Sequence, residues 1–298
     1  MNSKLAAAGA TVLWGFTYIL STTLLPHNPL LLGAVRALGG AGILLAMAPQ
    51  RLPASWWGRM IVLGTLNAGL FFGLLFIAAV RLPGGVAAIF QALGPLIVIL
   101  LGWAMLGHRP THWKMAGVLI GAFGVSLVVL KANAALDGIG VLAALGSTVS
   151  LGLGGVLINK WQRPKIAMPA FTGWQLLIAG VELGIAALVV RDLPATLTVD
   201  NLIGFALLAV FLTAVPFLLW FKAVAHLGAV VVAPFFLLVP ITAFTLDAVV
   251  KGILPTGMQI VGVATVLLGL FLSQWRPKPA RATAATAPAN TTANTTAP

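Results

Sequence analysis

Residues 107–118 read GHRPTHWKMAGV, and residues 252–263, 145 positions further on, read GILPTGMQIVGV. At the same offset ALGPL (92–96) falls over LLVPI (237–241) and FIAAVRL (76–82) over FKAVAHL (221–227). The pairs that coincide include Pro95/Pro240, Gly107/Gly252, Pro110/Pro255 and Gly117/Gly262. An apolar composition inflates chance matches among aliphatic residues, but it does not align prolines and glycines. The chain therefore reads as two copies of one unit.

What the unit is follows from composition. Of the 298 residues, 60% are apolar and 7% charged, and the mean hydropathy is +1.07, well outside the range of soluble domains. Apolar segments of about 20 residues, the length that crosses a bilayer, recur along nearly the whole chain. Their limits at Pro, Gly or charge give ten spans, near 4–24, 30–49, 58–79, 84–106, 112–130, 138–158, 169–190, 201–222, 228–249 and 256–275. The first resembles a signal peptide, but its apolar run is about twice a usual signal core and nine spans follow, so it reads as an anchor that stays. Each copy then holds five spans. Five is odd, so the second copy sits upside down relative to the first.

The expected fold is an all-α membrane protein, with ten transmembrane helices forming two inverted five-helix repeats around a central cavity. The repeats are 1–131 and 132–276, and 277–298 is a disordered cytoplasmic tail of Pro, Ala and Thr without apolar period. Its sequons at Asn290 and Asn294 carry no function on the cytoplasmic side. Lys and Arg set the orientation: twelve lie in the N-terminus, in alternate connections or span ends and in the tail, against four (Arg81, Lys131, Arg191, Lys251) in the opposite set. By the positive-inside rule both termini face the cytoplasm, as for a multi-pass protein of a bacterial inner (plasma) membrane. The net charge of +12 is thus a topology signal. Scattered singly between apolar runs, these residues make no nucleic-acid surface.

Inverted repeats are the architecture of secondary transporters, whose sites lie near the midplane where helices are broken. In QALGPLIVILL (91–101) Pro95 deletes a backbone donor and frees the carbonyl one turn earlier, at Gln91. In lipid such backbone survives where protein or a water-filled cavity receives it. A packing kink between helices is the competing reading. Recurrence at Pro240, with Pro234 a turn and a half before it, tilts the balance to a cavity wall, and Pro216 is a further expected kink.

Several stretches resemble the EamA branch of the drug/metabolite transporter superfamily. They are VLWGFTYIL with Trp14 and Gly15, NPLLLGAVRAL with Pro29 and Arg36, and the run from Pro95 through Trp103, Gly107, Gly117 and Gly124. The resemblance covers about residues 1–276 and is greatest to the YddG-type exporters of aromatic amino acids. It implies ten helices around a cavity and alternating access by rocking of the repeats. Two departures stand out. The family's Glu at the end of the fourth helix of a repeat is His108 here and Ile253 in the second copy, and Leu151 stands where the second Trp would align.

Polar groups deep in a span are costly and suggest function. Arg36 lies roughly 9 Å, and Glu182 roughly 13 Å, from the same side at 1.5 Å rise per residue. Such similar depth allows an ion pair, either a structural clasp or a receptor for a substrate's carboxylate and ammonium. Glu182, the one carboxylate well inside a span, is also the candidate for proton coupling. Trp14 and Tyr18 share a face, too deep for an interfacial belt, and Asn67 and Gln91 offer amides that donate and accept. The cavity candidates are thus Trp14, Tyr18, Arg36, Asn67, Gln91, Pro95 and Glu182. Asp247 is explained by Lys251 one turn away. Trp56, Trp57, Trp113, Trp161, Trp220 and Trp275 read as belt residues. Gly69/Gly73 and Gly117/Gly121 mark close helix approaches.

The chain has no Cys, and His27, His108, His112 and His226 sit in loops or at span ends without metal spacing, so neither metal nor cofactor is expected. Motifs of intramembrane hydrolases are missing, which argues against an enzyme. One deep Arg facing one deep Glu suits amino acids or amphipathic compounds better than phosphate esters. The expected function is export of small organic solutes, amino acids including aromatic ones. Multidrug or lipophilic-cation export and, less well supported, a solute channel are the alternatives; the oligomeric state is not encoded legibly.

Overall fold

The computed structural model describes residues 2–130 and 137–274; the expectations resting on Lys131, Trp275, Arg276 and the tail from Pro277 fall outside them. All regular structure among the described residues is helical. In chain order the helices are α1 Ser3–Thr23, α2 Pro29–Met47, α3 Ala54–Arg81, α4 Gly84–Leu106, α5 His112–Leu130, α6 Gly138–Trp161, α7 Met168–Val189, α8 Val199–Leu227, α9 Pro234–Lys251 and α10 Gly257–Gln274. Eight are long and apolar enough to cross a membrane, and α5 and α10 contain shorter apolar helices. Large apolar side chains such as Leu119, Phe123, Leu188 and Leu268 point outward, as a lipid-facing surface requires.

Local chemistry sets the helix ends. Pro29 starts α2 in the first turn, where a missing N–H costs nothing. Thr198 and Asn201 form a reciprocal capping box at the start of α8. Gly107 and Gly252 end α4 and α9 at φ +69° and +68°, a left-handed conformation that glycine adopts without a Cβ penalty. That is why a glycine recurs at this point of the repeat.

Asp137 joins α3 to α6. Its Oδ1 accepts from the N–H groups of Ile139 and Gly140 at 2.8 and 3.1 Å, and its Oδ2 accepts from Arg81 Nη1 at 2.6 Å. The Arg81 bond first, then the backbone donors, hold the carboxyl below its ordinary range. A pKa depressed by folding adds stability above the unfolded-state value, lost as pH falls through the folded one. Thermal unfolding of Asp137→Asn should therefore differ from wild type at neutral pH and converge with it in acid. A difference that persists at low pH would show that the carboxylate's charge is not what matters.

The tightest helix pairs are α5 with α10 and α2 with α7. The first half of α4 packs on α9, the second half of α3 on α6, and α1 on both α8 and α9. Where α5 crosses α10, backbone meets backbone. A Cβ at Gly124 would sit 2.8 Å from the Gly262 carbonyl, and one at Gly262 would sit 2.7 Å from the Gly124 carbonyl. Gly117 and Gly269 face each other in the same way.

Two helices contain π-helical turns, Thr65–Leu70 in α3 and Val210–Ala214 in α8, again 145 positions apart. Such turns are rare and are frequently found at functional sites. The four prolines stand where helix type changes. Pro95 follows the break at Leu93 that divides α4, and Pro216 follows the second π turn. Pro234 opens the 3-10 turn Ala233–Leu237, and Pro240 lies in the first α-helical turn after it.

Candidate functional site

A cavity of about 770 Å³ lies between the helices. It is lined from α1 by Trp14, Thr17 and Tyr18, from α2 by Arg36, from α3 by Asn67, Phe71 and Phe72, and from α4 by Gln91. The later helices add Leu151, Phe171, Gln175, Phe217, Trp220, Phe221 and Phe236, and Arg163 joins from the connection before α7. Both copies of the repeat contribute.

Aromatic rings dominate one wall. Trp14 stacks on Phe236 with centroids 5.6 Å apart and planes 10° from parallel. Phe217 meets Trp14 edge-on at 5.6 Å, and Trp220 lies 5.7 Å from Trp14 and 4.6 Å from Phe236. Trp220 is thus a cavity residue and not the belt residue its place near the end of a span suggested. It shares an i, i+3, i+4 face with Phe217 and Phe221, and that face turns inward. Trp56 is buried, edge-on against Phe171 at 6.4 Å.

The polar groups of the wall hold one another. Asn67 Nδ2 donates to Gln175 Oε1 at 2.7 Å, and Gln91 Nε2 donates to Ser147 Oγ at 2.9 Å. At the α4 break, Thr148 Oγ1 donates to the Phe90 carbonyl at 3.2 Å. A neighbouring helix therefore receives the disrupted backbone, one residue before the carbonyl expected, and Pro95 itself is not among the lining residues.

Arg36 and Glu182 do not pair. Arg36 is 4% exposed; its Nη1 donates to Thr17 Oγ1 at 3.2 Å and its Nη2 to the Leu212 carbonyl at 3.0 Å. Pro216, four residues after Leu212, has no N–H to offer that carbonyl, and the guanidinium supplies the donor. The Phe72 ring lies 4.6 Å from the guanidinium carbon. Glu182 is outside the lining. Its Oε1 accepts from Thr65 Oγ1 at 2.6 Å, and its Oε2 fills the space beside Gly69. Each charged residue thus reaches the π turn of the opposite copy, Arg36 that of α8 and Glu182 that of α3. Ser150 Oγ adds a bond to the Leu66 carbonyl in the α3 turn at 2.8 Å.

Asp247 bonds more widely than expected. Lys251 Nζ lies 3.5 Å from its Oδ1, but its Oδ2 also accepts from Gly85 N–H at 2.8 Å, so α9 caps the start of α4.

The EamA-like transporter family model matches residues 2–130 and again 138–275. Protein PecM of Dickeya dadantii is 36% identical over 276 residues, covering 92% of this chain and 93% of its own. The probable amino-acid metabolite efflux pump of Salmonella typhimurium is 25% identical over 88% of this chain and 91% of its own length, and a protein of the same description from Escherichia coli is also 25% identical, over 89% and 93%. A solved crystal structure 20% identical in sequence shares the fold at a TM-score of 0.65, over 91% of this chain and 96% of that one. Two of these relatives are named as efflux pumps and the matching family as one of transporters, not enzymes. This chain, a multi-pass membrane protein, belongs to the EamA-like transporter family.

Proposed function

We infer that the protein exports small organic solutes, amino acids including aromatic ones, by alternating access across a bacterial inner membrane with both termini cytoplasmic. The observation that carries this reading is the cavity, walled by both halves of the chain with aromatic rings and amides around one buried cation. The amino-acid metabolite efflux named for two relatives points to the same solute class.

Ten spans in two inverted repeats, 1–131 and 132–276, account for the packing. Exchanging α1–α5 for α6–α10 maps α5–α10, α2–α7 and α4–α9 onto themselves and α3–α6 onto α8–α1, all of them observed contacts. The π turns are related by the same exchange. Helices weakened there and at the α4 break can bend as one half rocks against the other. The rings stack on a planar side chain, Arg36 receives a carboxylate, and the amides complete the polar end. Glu182, bound to a π turn and not to substrate, is the candidate through which a proton couples to bending.

Counterflow in liposomes tests this. With unlabelled phenylalanine inside, labelled phenylalanine should accumulate transiently and saturably, and Glu182→Gln should keep exchange while losing its dependence on a pH gradient. Linear, non-saturating flux would instead indicate a channel. The four-ring wall also favours a second reading, because stacked aromatic faces attract organic cations. Competition by tetraphenylphosphonium with no competition by any amino acid would establish that alternative.

A further inference from the structure

Arg36 has a third donor, Nε, which is buried and bonded to nothing. The other two nitrogens are fixed on Thr17 and the Leu212 carbonyl, so the guanidinium cannot swing to another partner. An unpaired guanidinium donor at this depth is costly, and the Arg36 side chain borders the cavity. No carboxylate balances the cation: among the described residues the ion pairs are Arg81–Asp137 and Lys251–Asp247. The charged residues of the lining are Arg36 and Arg163.

Resting on the export reading above, we propose that the site recognises the carboxylate of its solute through Arg36 and has no charged receptor for an ammonium group. The substrate class is therefore aromatic monocarboxylates, with amino acids accepted for their carboxylate and ring. A carboxylate against the guanidinium neutralises the buried charge, while the ring enters the wall formed by Trp14, Phe217, Trp220 and Phe236. An α-ammonium gains no ion pair there and loses its hydration. A deaminated aromatic acid should bind at least as well as the corresponding amino acid, and an aromatic amine much more weakly.

The test uses wild-type protein in liposomes at pH 8, with labelled phenylalanine and labelled 3-phenylpropanoate in separate counterflow assays, each challenged with 3-phenylpropanoate, phenylalaninamide and phenylethylamine. The expected result is exchange of 3-phenylpropanoate and competition by it at or below the phenylalanine concentration. The two amines, which lack a carboxylate, should need about tenfold to a hundredfold more, the range of a charge-assisted hydrogen bond. Arg36→Gln should shrink that gap. Amines competing as well as the acid while phenylalanine still exchanges would overturn this proposal and leave the amino-acid reading standing. Exchange of the acid without phenylalanine would support it and remove amino acids from the reading. Neither solute exchanging, in protein that unfolds cooperatively on heating, would overturn both.

Discussion

Arg36→Met should lower exchange of carboxylate solutes by about a hundredfold, the loss of a charge-assisted hydrogen bond in a desolvated site. Its effect on stability is a balance of opposed terms. Burying the cation costs several kcal/mol, which methionine recovers, whereas the Leu212 carbonyl loses its donor at about 1–3 kcal/mol. The net sign is not the informative quantity; the coupling to Pro216 is. Alanine at 216 restores an N–H to the α8 backbone, which matters only where Arg36 no longer serves the Leu212 carbonyl. Pro216→Ala should therefore stabilise the Arg36→Met protein more than it stabilises wild type, by about 1 kcal/mol, the scale of one net hydrogen bond. Thermal unfolding of the four proteins of the cycle measures this. Equal effects of Pro216→Ala in both backgrounds would show that the Arg36 bond does not replace the missing donor.

Gly124→Val should leave little folded protein. Its Cβ would lie 2.7 Å from the Val266 nitrogen and 2.8 Å from the Gly262 carbonyl, and both are backbone, so no rotamer change relieves the overlap. Overpacking of ordinary cores costs about 1–3 kcal/mol, and separating two helices along their seam exceeds that range. Gly42→Val in α2 is the control, because nothing lies within 4 Å of its Cβ position. Size-exclusion profiles in mild detergent should show a monodisperse peak for the control and aggregate for Gly124→Val. A normal peak for both would mean that the α5–α10 contact can open without loss of the fold.

Much of this was legible in the sequence, because bilayer thickness fixes span length and prolines mark where backbone bonding changes. Helices lie over each of the ten expected segments, eight of them long and apolar enough to cross a membrane, and Trp14, Tyr18, Arg36, Asn67 and Gln91 gather at one cavity. What was missed shares one cause. Depth along a helix can be counted from the sequence, but direction around its axis depends on neighbours the sequence does not name. Arg36 and Glu182 count to similar depths along their helices and point at different helices. Trp220 is near an end, yet inward. Glycine pairs show that helices approach without showing which ones. The π turns have no composition of their own; only Pro216, and the repeat that carries the bulge across to Thr65–Leu70, hinted at them.

The α5–α10 seam has a consequence for motion. Where backbone meets backbone at Gly117, Gly124, Gly262 and Gly269 there are no rotamers to adjust, so these points of the seam stay closed or part, while Val128, Val266 and Ser273 pack beside them. In a carrier that rocks, such a seam acts as the fulcrum. The cavity side chains, spread over α1–α4 and α6–α9, then lie away from that fulcrum, since neither α5 nor α10 lines the cavity.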